Sequence, residues 1–269
     1  MDWVYNIPTS LLAVICILAY SLLGVGGIFL SRRWVRRLHR TGHSHNDVVS
    51  YFFAAASVFY GVTLGLITIG VWTNYSNAQD KVDREAQAIA GMYRTAEGFD
   101  TAHRVLLQKD LMDYTSQVIH VSWPQQKSGM PSIGSGLMLE TMQRHILSFT
   151  PQTAADQILQ TEVLTQFNSL AEAKHARMNS VGVGIPAAMW SLVLLGAAIT
   201  LAITWCFDLP SLAMHVWMTF MLACLLGLII ALTAAFDNPF RGDLSVSADT
   251  LERVYRQMAA GLKTLPSAR

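Results

Sequence analysis

The side chains that could do chemistry in this sequence are few and scattered. His43 and His45 have the spacing of a metal-binding pair, but no cysteine and no cluster of carboxylates accompanies them. No nucleophile elbow, phosphate-binding loop, zinc-protease helix or dinucleotide fingerprint appears either. The sequence therefore predicts no catalytic residue, no metal site and no cofactor, and we do not expect an enzyme.

One group of acids follows the second apolar stretch of the chain. Asp80, Asp83 and Glu85 could together bind a cation, but Lys81 and Arg84 alternate with them. Interleaved charges of opposite sign are typical of a helix face in contact with water. We therefore interpret this group as a solvated helix face.

A series of small residues is the most suggestive pattern for function. Ser57, Gly61 and Gly65 recur at four-residue spacing, which places them on one face of a helix. Small residues at this spacing let helices approach closely in lipid, so helix packing is one explanation. The other is a pore lined by backbone and by small or apolar side chains, as in channels that gate by dewetting.

The elements that must position these residues are membrane helices. Apolar residues make up 52% of the 269 residues and charged residues only 14%, which is more apolar than an ordinary soluble protein. Uncharged stretches at 10–30, 48–72, 186–207 and 212–236 reach the roughly 20 residues that a helix needs to cross a bilayer. The net charge of +1 provides no field for nucleic acid, so the lipid bilayer is the expected partner.

Between the second and third spans the sequence predicts a helical domain. Apolar residues continue at three- and four-residue steps from Trp72 past Tyr93, so span two is expected to leave the membrane as an amphipathic helix. Further helical patterns cover about 107–123, 137–149 and a stretch from Thr153 into span three. The predicted fold class is all-α, with four spans and a helical-bundle extramembrane domain formed largely by extensions of spans two and three.

These elements divide the chain into four regions. Residues 1–72 contain spans one and two with an arginine-rich linker, 73–185 the extramembrane helical domain, and 186–236 spans three and four. Residues 237–269 contain an Asn-Pro-Phe turn and an amphipathic helix. The turn ends span four because a residue before proline is disfavoured in a helix.

Several motifs of the chain resemble those of one family. The run from Gly65 through Trp72, Asn74 and Tyr75 to Arg94 resembles the signature of the bestrophin-like family of bacterial membrane proteins. The resemblance continues in order through nearly the whole chain. Its other motifs are His45-Asn46-Asp47, then Arg177 with Pro186 and Trp190, and finally Asp237-Asn238-Pro239-Phe240-Arg241-Gly242-Asp243.

The resemblance implies a function and a set of site residues. True bestrophins are pentameric anion channels whose second helix lines an apolar neck, so by position Val58, Val62 and Gly65 would line a pore here, with Ser57 and Gly61 beside them. Trp72, Asn74, Tyr75 and the motif from Asp237 to Asp243 would be gating or motif residues. In calcium-gated members a run of acids follows this motif, whereas here only Asp243 follows closely.

The implied molecule is a homo-oligomer, a pentamer by resemblance, that conducts a small inorganic anion such as chloride through a pore lined by span two. The alternative is a membrane-embedded sensor or interaction protein whose helical domain binds a ligand or partner. In both cases we expect a multi-pass protein of the bacterial inner membrane.

The orientation of the chain in the membrane stays open at this level. The positive-inside rule places the arginine cluster after span one in the cytoplasm, which would put both termini and the helical domain outside. The resemblance to bestrophins implies the opposite. The cluster comprises Arg32, Arg33, Arg36, Arg37 and Arg40.

Overall fold

A computed structural model describes residues 5, 7–38, 44–130 and 134–263 of the chain, without the side chains at 36, 38, 44, 262 and 263. Arg40 and His43, and the side chain of Arg36, therefore lie outside the described part. Within these ranges the regular structure is entirely helical, as the sequence predicts. The chain divides into two compact units, which we describe separately.

The first unit contains residues 1–74, 184–238 and 242–244. Its helices are α1 (Thr9–Leu38), the first part of α2 (Ser44–Thr95), α7 (Ala187–Thr204) and α8 (Leu212–Phe236). These are the helices in the described ranges that are long and apolar enough to cross a membrane, which confirms the four predicted spans. Arg32 and Arg33 lie within α1, since that helix continues past the predicted end of span one.

The helices of the first unit pack through glycines where backbones approach closely. A Cβ atom added to Gly227 of α8 would lie 2.9 Å from the backbone of Ile17 in α1, so only glycine fits there. An apolar core joins α2, α7 and α8, and it contains Leu64, Val193, Ala197, Leu201, Ala223, Leu226 and Ile230.

The second unit contains residues 75–183, 239–241 and 245–269. It begins with the second part of α2, which ends in a 3₁₀ turn (Ala96–Gly98). There follow α3 (Thr101–Gln117), a π-helical turn (Val118–Ser122), α4 (Trp123–Lys127), α5 (Ser135–Ser148), α6 (Ala154–Met178) and α9 (Asp249–Lys263). Its core includes the predicted stripes of α2 and α3, with Val82, Ala86, Ile89, Leu111, Tyr114 and Val118 all at 0% exposure.

Side-chain caps mark where two of these helices begin. Asp100 accepts hydrogen bonds from the backbone of Ala102 and His103 at the start of α3. Thr153 and Asp156 form a reciprocal capping box at the start of α6. Such caps satisfy backbone N–H groups that have no partner within the helix.

Two helix boundaries differ from the sequence prediction. The helical path through α3 does not end at Trp123 and Pro124, because Pro124 stands in the first turn of α4, where its missing N–H group costs nothing. In addition, α6 does not run into span three. Residues 179–186 are not helical, since Gly182 has φ +78° and Pro186 directly precedes α7. The second unit therefore uses the continuation of span two, while α6 and α7 are separate helices.

Candidate pore face and the turn after α8

One face of α2 within the first unit carries no packing partner from its own chain. Val58 and Val62 are 64% and 59% exposed. A Cβ atom added to Gly61 or Gly65 would have no heavy atom within 4 Å. All four are among the residues that the sequence predicts to line a pore, and on that basis we call them the pore face. They carry no charge and include two positions where only the backbone is presented.

The opposite face of α2 fixes the rotation of the helix. Leu64 is buried in the core of the unit. The Tyr60 hydroxyl donates a hydrogen bond of 2.8 Å to the Val193 carbonyl oxygen of α7. The hydroxyls of Thr68 and Thr233 are 2.9 Å apart, which links α2 to α8. Polar links of this kind hold membrane helices in a defined register.

This rotation separates Ser57 from the other residues predicted to line the pore. Ser57 is half-buried, and its hydroxyl oxygen is fully buried without a hydrogen-bond partner. The four-residue spacing placed Ser57 on the same face as Gly61, but the contacts of Tyr60 and Thr68 turn Ser57 toward the packed side. Ser57 is therefore not part of the pore face.

Tyr60 needs a glycine on the neighbouring helix. A Cβ atom added to Gly196 of α7 would lie 2.4 Å from the Tyr60 ring. Gly196 thus leaves the space that the ring occupies, and the ring in turn reaches the carbonyl oxygen that fixes α2.

The predicted motif residue Trp72 contacts the last residue of α8 at the end of span two. The Trp72 ring packs edge-on against Phe236, with ring centroids 5.2 Å apart and planes at 85°. Phe236 is the last residue of α8 and directly precedes Asp237. Asn74 is exposed, and Tyr75, the first residue of the second unit, packs against that unit's core.

Asp237 is a buried carboxylate that three neutral groups satisfy. It is 5% exposed. Its Oδ1 atom accepts a hydrogen bond of 2.6 Å from the Ile185 backbone N–H, and its Oδ2 atom accepts bonds from the Tyr5 hydroxyl at 2.8 Å and the Trp190 indole at 3.2 Å. A Cβ atom at Gly184 would lie 3.1 Å from the same carboxylate, so this glycine also lets the backbone approach.

Asp243 holds the beginning of α1. Its Oδ2 atom accepts a hydrogen bond of 3.0 Å from the backbone N–H of Thr9, the first residue of that helix. A carboxylate at a helix N-terminus also complements the positive end of the helix dipole. Gly242, directly before Asp243, has φ +84°, a conformation that favours glycine.

The middle of the motif serves the second unit instead. Phe240 is buried in that unit's core and packs against Trp123 with ring centroids 5.7 Å apart. The Pro239 carbonyl oxygen accepts a hydrogen bond of 2.7 Å from the Val246 backbone. Asn238 is buried in the first unit. The motif therefore contributes structural residues to both units.

A buried ion pair lies in the second unit. The Glu85 carboxylate accepts hydrogen bonds from Nε and Nη2 of Arg177, the latter at 3.1 Å, and from the Tyr114 hydroxyl at 2.6 Å. Both charged side chains are fully buried. Burial and the adjacent Glu85 raise the pKa of Tyr114 well above its usual value. Although burial by itself lowers the pKa of Arg177, the Glu85 carboxylate outweighs that effect and raises it.

This pair corrects the interpretation of Glu85 as part of a solvated helix face. Asp80 is exposed, and Asp83 accepts a hydrogen bond from Gln79, but Glu85 points into the core. A signal was available in the sequence, because position 85 falls in the apolar stripe between Val82 and Ala86. An acid in such a stripe requires a buried partner.

Comparisons with known proteins agree with this architecture. Residues 18–251 match the family model of the bestrophin-like domain. The chain belongs to the bestrophin-like family. A comparison of this bestrophin-like chain with curated protein sequences found no match.

Solved structures share the fold at low sequence identity. A bacterial bestrophin homolog from Klebsiella pneumoniae, solved as a single-residue variant, is 12% identical with a TM-score of 0.70, covering 92% of this chain and 99% of the other. The same homolog, phased on zinc, is 12% identical with a TM-score of 0.69 and coverage of 94% and 99%. A structure described as a membrane protein is 10% identical with a TM-score of 0.69 and coverage of 92% and 97%.

Family and fold together define the molecular class of the chain. The bestrophin-like domain covers most of its length, and four helices in the described residues are suited to crossing a bilayer. The protein is an integral membrane protein of the bestrophin-like family and fold.

Proposed function

We propose that this bestrophin-like chain forms a homo-oligomeric channel in the bacterial inner membrane and conducts small anions such as chloride along the pore face of α2. The observation that carries the proposal is the bare surface at Gly61 and Gly65, flanked by exposed Val58 and Val62. A helix whose backbone lacks any neighbour in its own chain is completed when further copies place the same face around a common axis.

The composition of the pore face supports a channel without a charged filter. An apolar constriction conducts or closes according to whether water fills it, and a substitution there changes conduction by changing its width. Weakly hydrated ions such as chloride pass such a constriction more readily than strongly hydrated ones. A pentamer is the stoichiometry that the family resemblance implies.

The end of span two, near Trp72, is the proposed gate region. Trp72 contacts Phe236, which adjoins the Asp237 network, so movement of that turn would displace the end of span two. Asn74 and Tyr75 continue the same helix beyond Trp72. In single-channel recordings, Trp72→Ala is expected to change open probability while leaving the conductance of the open channel unchanged. An altered conductance with unchanged gating would contradict this assignment.

Reconstituted liposomes test the permeation pathway. Chloride flux above that of empty vesicles is expected, and Val62→Trp should reduce it at least tenfold. The matched control is Leu22→Trp on α1, a position that is 73% exposed but lies outside the pore face. Equal flux from both variants, or a conducting wild-type protein that cross-links only as a monomer, would contradict the proposal.

The sign of the permeant ion needs a separate experiment. In a background with Cys16, Cys206 and Cys224 replaced, Val62→Cys can be modified with thiol reagents of equal size and opposite charge. For an anion pathway, a positive adduct should reduce chloride flux less than a negative one. The reverse order, with sodium flux exceeding chloride flux, would support the pore face as the pathway but contradict an anion as the permeant ion. Absence of flux for both ions would instead favour the sensor or interaction protein.

A further inference from the structure

A nearly buried lysine lies in the second unit. Lys174 on α6 is only 7% exposed, and it precedes the fully buried Arg177 by one helical turn. Among the residues that the structure describes, no hydrogen bond or ion pair reaches the Lys174 ammonium. Arg177 directs Nε and Nη2 at Glu85, while its Nη1 atom is buried without a partner.

The Lys174 ammonium lies at the first turn of α5. A Cβ atom added to Gly136 would be 3.8 Å from Lys174 Nζ. The residue before this helix, Gly134, provides no side-chain cap. Ser135, its first residue, is fully buried with a hydroxyl that has no hydrogen-bond partner. The first N–H groups of a helix lack partners within the helix, so backbone donors lie beside the ammonium and the hydroxyl.

Two cations and two acids lie around this point. Lys174 and Arg177 bring the positive charges, Glu85 is buried against Arg177, and Glu140, further along α5, is exposed. Burial and then the neighbouring Arg177 lower the pKa of Lys174, and Glu85 and Glu140 offset that shift only in part. The positive end of the α5 dipole also disfavours the ammonium.

We infer that a small inorganic anion, a halide or a phosphate-class oxyanion, binds between the Lys174 ammonium and the first turn of α5. The anion would accept hydrogen bonds from the ammonium, from the first-turn backbone N–H groups and from the Ser135 hydroxyl. All of these residues belong to the second unit, so the site is independent of the proposed pore face.

Thermal unfolding of the purified full-length protein in detergent tests the site. Chloride, bromide and phosphate are each titrated against gluconate at constant ionic strength. A ligand that binds only the folded state raises Tm with the logarithm of its concentration above Kd. We expect at least one of the three anions to do so in the wild-type protein and in Val62→Trp. Equal Tm values in every salt would overturn the inference.

The Lys174→Met variant separates anion binding from a structural role. It is expected to lose the anion-dependent rise in Tm, and in gluconate its Tm should equal or exceed that of the wild type, because an unpaired buried charge has been removed. Lys109→Met, which changes an exposed lysine of α3, is the matched control and should keep the anion dependence. A Lys174→Met protein that is less stable in every salt but still responds to anions would overturn the inference.

The identity of the anion follows from the same titrations and from crystals. Stabilisation by chloride and bromide but not phosphate assigns a halide, and the reverse assigns an oxyanion. For a halide, crystals grown in bromide should give an anomalous peak beside Lys174 Nζ that Gly136→Ala weakens, since the added methyl group enters the same space. A halide response without such a peak would overturn the assignment of the site.

Discussion

The two parts of α2 form one continuous helix but have opposite surroundings. In the first unit Val58 and Val62 are mostly exposed, whereas in the second unit Val82, Ala86 and Ile89 are completely buried. The second part is completed by helices of its own chain. The first part is left to contact lipid or further copies of the chain. The contrast therefore distinguishes the helix surface that is buried when one chain folds from the surface that is available for assembly.

The buried acids of the two units have different kinds of partner. Glu85 in the second unit is neutralised by a cation, Arg177, while Asp237 in the first unit is satisfied by three neutral donors. Losing a cation leaves an uncompensated buried charge, which costs more than losing one neutral hydrogen bond. The two units should therefore respond very differently to the loss of a single partner.

Removing the cation from the second unit should have the largest effect. Arg177→Met leaves the Glu85 carboxylate buried with the Tyr114 hydroxyl as its one hydrogen-bond donor among the described residues, and we expect a loss of about 3–5 kcal/mol. Chemical denaturation followed by tryptophan fluorescence measures it, since Arg177 lies over the Trp123 ring. The double variant Glu85→Gln with Arg177→Met should regain part of the stability. No recovery would show that the charge is not the cause.

The same glycine-to-alanine substitution at two positions compares a packed and an unpacked helix surface within the first unit. Gly196→Ala forces a methyl group into the Tyr60 ring and should cost about 1–3 kcal/mol. Gly65→Ala meets no atom of its own chain, and it should leave the dissociated protomer as stable or up to about 1 kcal/mol more stable, because alanine favours a helix. Unfolding in detergent compares them. Equal destabilisation would mean that Gly65 is packed.

The neutral donors around Asp237 predict an intermediate effect. In Asp237→Asn one carboxylate oxygen becomes an amide NH₂ group, which in either orientation faces at least one of the three donors and cannot accept its bond, so we expect a loss of about 1–3 kcal/mol. Tyr5→Phe removes a single bond and should cost about 1 kcal/mol. Thermal unfolding of the two variants gives the order. A larger loss for Tyr5→Phe would contradict the network described.

The smallest effect is expected at the exposed cap of α6. Hydrogen bonds from the Thr153 side chain and from the backbone of Gln152 and Thr153 lower the pKa of Asp156 below its usual 3.8. The stabilisation is therefore complete above pH 3.8 and is lost as the pH falls through the lower folded-state pKa. The Tm difference between wild type and Asp156→Asn should shrink over that acidic range. A difference that grows there would reject the cap.

Local sequence patterns were sufficient for the helices but not for their rotation. The spans follow from uncharged length, and the continuation of α2 follows from its apolar stripe. The placement of Ser57 depends on where Tyr60 and Thr68 find partners, 133 and 165 positions away along the chain. Four-residue spacing cannot distinguish Ser57 from Gly61 without those contacts.

The same limit explains the buried ion pair and the break before α7. In the sequence Glu85 lies among interleaved charged residues that are typical of a solvated helix face, and its partner Arg177 lies 92 positions away. The helical pattern of α6 continues toward span three, but Gly182 adopts a positive φ and Pro186 ends the irregular segment. The prediction followed the helical periodicity of α6, although the segment before span three contains Gly182 and Pro186.

The turn after α8 also determines the order in which the molecule can be completed during synthesis. Asp237 is translated after all three of its donors, and Phe240 after Trp123, against which it packs. Tyr5, Ile185 and Trp190 therefore cannot complete this network until the ribosome has passed the fourth span. A chain truncated before residue 237 would carry all four spans into the bilayer and still lack the residues that finish both units.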